Sequence, residues 1–327
     1  MRLIVTSDKP LLLKNEHTIM KKENVSKLLF VLSISVFGTI GVFVKFIPLS
    51  SKEIALWRSI TAAVLILCFL LIRKERIEFK RIKKELPLLA LSGIAIGANW
   101  IFLFEAYNYT TVCAASLSNY FAPVIVMLTC PIFFKEKLSI KQIVCFAGAL
   151  IGLFMIMGVQ DLSEGSTHLF GIFLGLCAAA LYAFAIIINK LIKNVDGIQR
   201  TFWQFTSAAV VLLPYVLCTT GFSFADMNTR GWICLVTVGV VHTGVNYCIY
   251  FTSLKEVPGQ NVAVLSYIDP MLSVILSVVI LNETMTVWQI MGAVLMLGSM
   301  ILSEIAPKRS EDMSAGPAPS AQGYDHS

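Results

Sequence analysis

The fold of this protein is set by two long apolar stretches, CAASLSNYFAPVIVMLTCPIFF at residues 113–134 and QNVAVLSYIDPMLSVILSVVIL at residues 260–281. Each is long enough to cross a hydrocarbon core as a helix, which takes about 20 residues. Both contain the same Tyr-x-x-Pro motif, at residues 120–123 and at residues 267–270. The sequence therefore predicts two equivalent membrane helices, one in each copy of an internal repeat.

This repeat extends over most of the chain at an offset of 147 residues, with one or two residues of slippage near the start of each copy. The matched pairs include Trp57 with Trp203, Gly97 with Gly244, Asn99 with Asn246, Phe104 with Phe251, Glu136 with Glu283 and Gln142 with Gln289. Because the pairs are spread along the whole repeat, the chain is predicted to consist of two homologous halves.

The composition excludes a soluble protein. Hydrophobic residues make up 57% of the 327 residues and charged residues 14%, with a mean hydropathy of +0.77, whereas a soluble domain has about 25% charged residues. Ten apolar runs are long enough to cross a membrane: 28–46, 54–72, 86–106, 112–134, 140–158, 169–189, 198–219, 230–251, 260–281 and 287–304. We therefore predict an all-α integral membrane protein with ten transmembrane helices.

The ten spans divide into a first five-helix repeat at residues 28–158 and a second one at residues 169–304. Because five is an odd number, the second repeat enters the membrane from the opposite side, and the two repeats are predicted to be inverted. Lys and Arg concentrate on one side, with seven of them between the second and third spans. We predict a multi-pass protein of the plasma (inner) membrane, and the positive-inside rule predicts that both terminal segments, 1–27 and 305–327, lie in the cytoplasm. The second of these, rich in Pro, Ala and Ser, is predicted to be disordered.

Some short motifs lie in the first two predicted helices, and others occur at corresponding positions in both halves. They are Phe37-Gly38-Thr39 with Lys45, Trp57-Arg58, the prolines Pro123 and Pro270, Glu136-Lys137-Leu138-Ser139, and Glu283-Thr284-Met285-Thr286. In these motifs the sequence resembles the drug/metabolite transporter superfamily, and within it the EamA-type permeases with ten spans in two inverted five-helix repeats. The resemblance covers the chain from about residue 27 to residue 304. It implies a secondary carrier of small organic metabolites such as amino acids.

Two ionisable residues lie deep in the predicted spans. Asp269 is near the middle of the ninth span, and His242 is near the middle of the eighth. A charge at mid-bilayer costs from about three to more than ten kcal/mol unless it faces protein or water. Because both residue types can exchange protons near neutral pH in such surroundings, both are predicted to be proton-coupling residues. The alternative is structural, with Asp269 as a hydrogen-bond acceptor and His242 as a packed neutral ring.

Further polar and aromatic residues are expected to line a transport pathway. Pro123 and Pro270 are predicted to kink their helices, because proline removes one backbone donor and frees a carbonyl one turn earlier. The predicted solute-binding residues are Asn99, Trp100, Tyr120, Trp203, His242, Asn246 and Tyr267. For the two asparagines, hydrogen bonding between packed helices is an alternative explanation.

A charged pair is predicted near the outer face. Arg58 and Glu105 would neutralise each other there, either as a gate that opens when the halves move or as a static clamp. The repeated glutamates, Glu136 and Glu283, have a structural interpretation instead. They precede Ser139-x-x-Gln142 and Thr286-x-x-Gln289, which are capping-box patterns at helix starts, and they are expected to bind loop amides or a helix N-terminus.

The predicted function is a permease or exporter of small organic metabolites that works by alternating access of the two repeats, and not an enzyme. The alternative is a membrane-embedded enzyme acting on a lipid or small metabolite, which would need a cluster of catalytic groups where only His242 and Asp269 lie deep. A partner-binding scaffold would leave the repeat without a purpose. No cofactor or metal is predicted, because the eight cysteines lack metal-ligand spacing. The expected partners are a small-molecule solute and the lipid bilayer, without nucleic acid, and a homodimer is left open.

Overall fold

The computed structural model describes residues 9–74, 79–134, 140–157, 166–219, 221–254, 257 and 265–305. Within these ranges, the regular secondary structure is entirely helical. The tail beyond residue 305, with its predicted disorder, lies outside the described residues.

The helices follow one another along the chain with short connections. In chain order they are α1 Lys9–Gly38, α2 Ile40–Lys45, α3 Ser51–Ile72, α4 Phe79–Tyr109, α5 Val112–Asn119, α6 Ala122–Phe134, α7 Ile140–Met157, α8 Ser166–Leu191, α9 Gly197–Thr219, a 3₁₀ turn Phe224–Asp226, α10 Thr229–Val236, a π-helix Thr237–Val245, α11 Asn246–Leu254, α12 Ile268–Leu281 and α13 Val287–Ile305.

Six segments of the described chain are long and apolar enough to cross a membrane. They are Asn24–Lys45, Ser51–Ile72, Ile82–Tyr109, Thr167–Leu191, Gly197–Thr219 and Thr229–Leu254. Four shorter apolar helices stand where the fourth, fifth, ninth and tenth spans were predicted: Val112–Val126, Ile143–Ile156, Ile268–Leu281 and Val287–Leu302. The all-α membrane fold is thus confirmed, while the number of ten spans stays a prediction.

The first helix is longer than the sequence analysis predicts. It begins at Lys9, whereas the predicted span begins at residue 28 and follows a cytoplasmic segment at residues 1–27. Residues 9–27 are rich in Leu, Lys and Glu, which favour helix, so the helix continues beyond its apolar part. The candidate membrane span within it starts at Asn24.

At both prolines that were predicted to kink a helix, an irregular turn precedes the proline. In the first half α5 ends at Asn119 and α6 begins at Ala122, so Pro123 is the second residue of a new helix. In the second half a turn at residues 266–267 precedes α12, and Pro270 is its third residue. The irregularities thus lie next to the two prolines for which kinks were predicted. The first turn of a helix tolerates proline because its backbone N–H groups have no partner inside the helix.

The most extensive helix pairings in the described part of the chain join helices of different halves. Helix α4 packs along α8 and α9, α3 packs along α9 and the π-helix, and α7 packs along α13. At the α7–α13 contact, the carbonyl oxygens of Gly152 and Gly292 each occupy the space of a side chain on the other residue. Small residues let two backbones approach this closely in membrane proteins. Several long pairs of helices therefore join the two halves.

The capping interpretation of the second repeat is confirmed. The Thr286 hydroxyl accepts from the Gln289 amide at 3.2 Å, and the Gln289 side chain accepts from the Thr286 amide at 2.9 Å. Glu283 accepts hydrogen bonds from the backbone amides of Val112 and Cys113, at the start of α5. The corresponding residues of the first repeat, Glu136 and Ser139, lie outside the described residues.

Candidate functional site

A cavity of about 540 Å³ lies between the two halves. It is lined by residues of α1 to α6 and of α8, α9, α11 and α12, so both halves contribute to its wall. Small-molecule sites in proteins have volumes of about 300–1,000 Å³. The cavity therefore has the size of a site for one small solute.

The lining contains many aromatic rings that carry a polar group. The tyrosines are Tyr107, Tyr120, Tyr182, Tyr247, Tyr250 and Tyr267, and they are joined by Trp100. Such rings offer an apolar face together with a hydrogen-bonding group. The wall thus suits a solute that is partly apolar and partly polar.

The two helix breaks meet at the cavity. The Tyr120 hydroxyl, at the break of the first half, donates a hydrogen bond of 2.5 Å to Asp269 Oδ1, just after the break of the second half. Asp269 is the second residue of α12, where the helix dipole favours a negative charge. Tyr267 and Pro270 line the cavity beside it. The predicted residues Tyr120, Tyr267 and Asp269 are therefore brought together in one place.

Arg58 lines the same cavity and is only 4% exposed. Its Nε donates to the Thr243 hydroxyl at 2.9 Å, and its guanidinium carbon lies 4.2 Å from the centre of the Trp100 ring. Thr243 belongs to the π-helix, a rare irregularity that is frequent at functional sites. Trp100 of the first half and Thr243 of the second half thus both contact the guanidinium group of Arg58.

The predicted Arg58–Glu105 pair is wrong in this conformation. Glu105 instead accepts a hydrogen bond of 2.6 Å from the Ser51 hydroxyl. Ser51 and Arg58 are seven residues apart on α3, which separates them by about 10 Å along the helix axis. Glu105 is therefore at the level of the start of α3, whereas Arg58 lies about two turns deeper.

Asn99 also lines the cavity, but its side chain already has two partners. Its Nδ2 donates to Asn119 Oδ1 at 2.9 Å and to the Ala178 carbonyl at 2.8 Å. These bonds connect α4 with α5 and α8. Asn99 thus combines the two roles that the sequence left open, because it joins helices and faces the cavity.

Three predicted solute-binding residues lie away from the cavity lining. His242 is 2% exposed, with Nε2 at 2.6 Å from the Thr39 hydroxyl and Nδ1 at 3.1 Å from the Thr237 carbonyl. Asn246 donates to the Ser33 carbonyl at 3.0 Å. Trp203 packs with the buried cluster of Leu89 and Ile188. For these three residues the structure corrects the predicted placement, because each one points into a contact between packed helices.

Several residues that line the cavity were not predicted from the sequence. Tyr247 and Tyr250 on α11 were not proposed, nor were Tyr182 and Gln204 as binding residues. Tyr247, Tyr250 and the neighbouring Phe251 have the spacing i, i+3, i+4, which places them on one face of a helix. That spacing is the feature of the sequence from which Tyr247 and Tyr250 could have been predicted to share one face of α11.

The two charged residues among the described lining residues correspond to uncharged residues in the other half of the chain. The position of Arg58 corresponds to Gln204 in the second half, and the position of Asp269 corresponds to Ala122 in the first. Gln204 is satisfied by neutral partners, since its Nε2 donates to Ser92 and Asn189 at 2.7 Å each. The shared scaffold therefore does not require a charge at either position.

Within the described ranges, no group of three His, Cys, Asp or Glu side chains is arranged to hold a metal ion. The chemistry that the site offers is hydrogen bonding, one buried guanidinium group and one carboxyl group.

Comparison with known proteins agrees with the two-fold organisation. Residues 25–158 and residues 169–304 each match the EamA-like transporter family. The chain is 27% identical over 298 residues to the uncharacterized transporter YxxF of Bacillus subtilis (strain 168), covering 90% of this chain and 94% of that protein. It is 29% identical over 250 residues to a protein of Salmonella typhimurium named as a probable amino-acid metabolite efflux pump, covering 72% and 82%. One crystal structure has a similar fold, with a TM-score of 0.59 and 18% identity over 88% of this chain and 100% of that one.

Proposed function

Because this chain belongs to the EamA-like transporter family, we propose that it is a secondary carrier that moves small organic metabolites, such as amino acids, across the plasma membrane by alternating access. The observation that carries the proposal is the cavity between the two halves, where the helix breaks of both halves meet at the Tyr120–Asp269 hydrogen bond.

The proposed mechanism uses the repeat. Ten spans in two inverted five-helix repeats would give two conformations of similar energy, with the cavity open to opposite sides of the membrane. Carriers of this kind bind their solute where helices are interrupted near the middle of the membrane. The breaks before Pro123 and before Pro270 have this character.

The proposed solute is small and amphipathic. A cavity of about 540 Å³ walled by tyrosines and Trp100 suits a molecule with an apolar part and a few polar groups. The similarity to the protein named as a probable amino-acid metabolite efflux pump supports amino acids as the first compounds to test.

In this mechanism Asp269 couples transport to the proton gradient. It would bind a proton in one conformation and release it in the other, with Tyr120 as its hydrogen-bonding partner. His242 is a second proposed coupling residue. It does not line the cavity and would act instead through its contact with Thr39, at the junction of α1 and α2.

The test is counterflow in liposomes that contain the purified full-length protein. The liposomes are preloaded with one unlabelled amino acid, and uptake of the same labelled compound is followed over time. A carrier accumulates label transiently and releases it chemically unchanged, as chromatography of the extracted solute would verify. If none of the amino acids or related metabolites in such a series exchanges, the proposal fails; if the label is recovered in a different compound, the enzyme alternative is favoured.

A further inference from the structure

We propose that Arg58 is the anchor for a carboxylate group of the transported solute, so that the protein selects carboxylates over neutral compounds of the same shape. The inference rests on the proposed carrier function and gives its site a chemical specificity.

Most of the hydrogen-bonding capacity of Arg58 is unused among the described contacts. A guanidinium group has five N–H donors, and only Nε has an acceptor in the described part of the chain, namely Thr243. Arg58 lines the cavity although the residue as a whole is 4% exposed. Its two terminal nitrogens are therefore available to a ligand inside the cavity and shielded from bulk water.

The neighbours of Arg58 restrict its orientation. Its guanidinium carbon lies over the Trp100 ring at 4.2 Å and over the Phe104 ring at 5.8 Å, and its Nε donates to the Thr243 hydroxyl at 2.9 Å. These contacts restrict the rotation of the side chain, and none of the described contacts is a hydrogen bond to the edge that carries the two terminal nitrogens. That edge presents parallel N–H groups, which match the two oxygens of a carboxylate.

Arg58 has no directly bonded anion among the described residues of the cavity. A buried cation is costly unless an anion compensates it. Asp269 lines the same cavity and acts on Arg58 electrostatically, but its Oδ1 is bonded to Tyr120, and no ion pair between Asp269 and Arg58 is formed among the described contacts. A solute carboxylate on the terminal nitrogens of Arg58 supplies an anion in direct contact.

The single positive charge of Arg58 also limits how much negative charge the solute can carry. Among the described lining residues, Arg58 is the one with a basic side chain. A phosphate ester carries about 1.5–2 negative charges at neutral pH, so a single guanidinium leaves much of that charge uncompensated. One cation among tyrosines and Trp100 suits a single carboxylate.

The repeat provides a suitable variant for the test. Gln204 occupies the position in the second half that corresponds to Arg58, so this scaffold accommodates a glutamine there. Arg58→Gln removes the charge and keeps much of the length. Arg58→Lys keeps the charge but loses the two-pronged geometry. Arg230→Gln is the control, because Arg230 lies over the Phe46 ring at 3.5 Å and does not line the cavity.

The experiment measures binding to the purified full-length protein by thermal shift and isothermal calorimetry. The probes are matched pairs that differ in one group: leucine and leucinamide, phenylalanine and phenylalaninamide, lactate and lactamide, benzoate and benzamide. We expect at least one carboxylate to bind about tenfold or more tightly than its carboxamide. Arg58→Gln should abolish this preference, Arg58→Lys should keep part of it, and Arg230→Gln should leave it unchanged.

Three outcomes would overturn the inference: carboxamides that bind as tightly as their acids, no binding of any carboxylate, or a preference that persists in Arg58→Gln. If Arg58→Gln does not fold, the affinities of the wild type and of Arg58→Lys for each carboxylate and its carboxamide still test the inference. The carrier proposal is tested separately. Counterflow of neutral solutes without a carboxylate preference would support the carrier function and contradict the carboxylate-binding role of Arg58. Binding of carboxylates without any exchange would support the role of Arg58 and contradict the carrier function.

Discussion

Glu283 Oε1 accepts a hydrogen bond of 2.7 Å from the backbone amide of Val112, and its Oε2 accepts one of 3.1 Å from the amide of Cys113. One carboxylate of the second half thus caps the first turn of α5 in the first half. The first amides of a helix have no partner within the helix, and the helix dipole favours an anion there. The contact therefore ties the two halves together at one end of α5.

Replacement of Glu283 should destabilise the protein. Val112 and Cys113 are both nearly inaccessible to solvent, so their amides have no water to replace the carboxylate. Glu283→Ala is expected to cost about 1–3 kcal/mol, and Glu283→Gln less, because the amide oxygen still accepts a bond. The thermal midpoint of the purified protein measures this, and the exposed neighbour Thr284→Ala is the control. Equal midpoints for all three variants would contradict the capping role.

The Tyr120–Asp269 bond leads to a prediction on coupling. Asp269→Asn cannot exchange a proton, so it should abolish gradient-driven accumulation of solute while counterflow continues. Tyr120→Phe removes only the hydrogen bond and should weaken accumulation to a smaller degree. Tyr267→Phe serves as a control for the loss of a lining hydroxyl. Wild-type accumulation by Asp269→Asn would assign a structural role to this residue.

Exchange of Arg58 and Glu105 should not restore transport. Each residue has its own partner, Thr243 for Arg58 and Ser51 for Glu105, and the swap provides neither. Arg58→Glu/Glu105→Arg is therefore expected to be at least as inactive as the worse single variant in counterflow. Glu105→Gln should be mild, because its amide oxygen can accept from Ser51. Recovery of transport in the double variant would mean that the two residues pair in another conformation.

The α7–α13 contact should not tolerate a side chain. A methyl group on Gly152 or Gly292 would lie 2.6 Å from the carbonyl oxygen of the other glycine, so the helices would have to move apart. Gly152→Leu is expected to lower the yield of folded protein strongly, as size-exclusion chromatography would reveal. Gly298→Ala on the same helix α13 is the control, because nothing lies within 4 Å of its position. A normal elution profile for Gly152→Leu would show that this contact is dispensable.

The distribution of Lys and Arg predicts the orientation in the membrane. In a cysteine-free variant, a cysteine at Ser166 should react with an impermeant maleimide in intact cells. A cysteine at Lys80, in the first turn of α4, should react only after permeabilisation. Labelling of both positions to the same extent in intact cells would contradict the predicted topology.

The sequence by itself determined the membrane class, the two homologous halves and the family. These depend on composition, on the length of apolar runs and on repeated motifs, all of which can be counted along the chain. It also determined the capping box of Thr286 and Gln289, because that contact joins residues only three positions apart. The helix breaks were predicted in the right places through Pro123 and Pro270, although the form of the interruption was not.

Only the tertiary structure decided which polar residues meet. Successive side chains on a helix point about 100° apart, so the neighbours of Arg58, His242 or Asn246 depend on how the helix is rotated against the other half. Arg58 and Thr243 are partners although 185 positions separate them, and Tyr120 and Asp269 although 149 do. Glu105, which the sequence paired with Arg58, binds Ser51 because the helices pack at a different depth. Such contacts arise from packing between the halves, and no pattern within one segment specifies them.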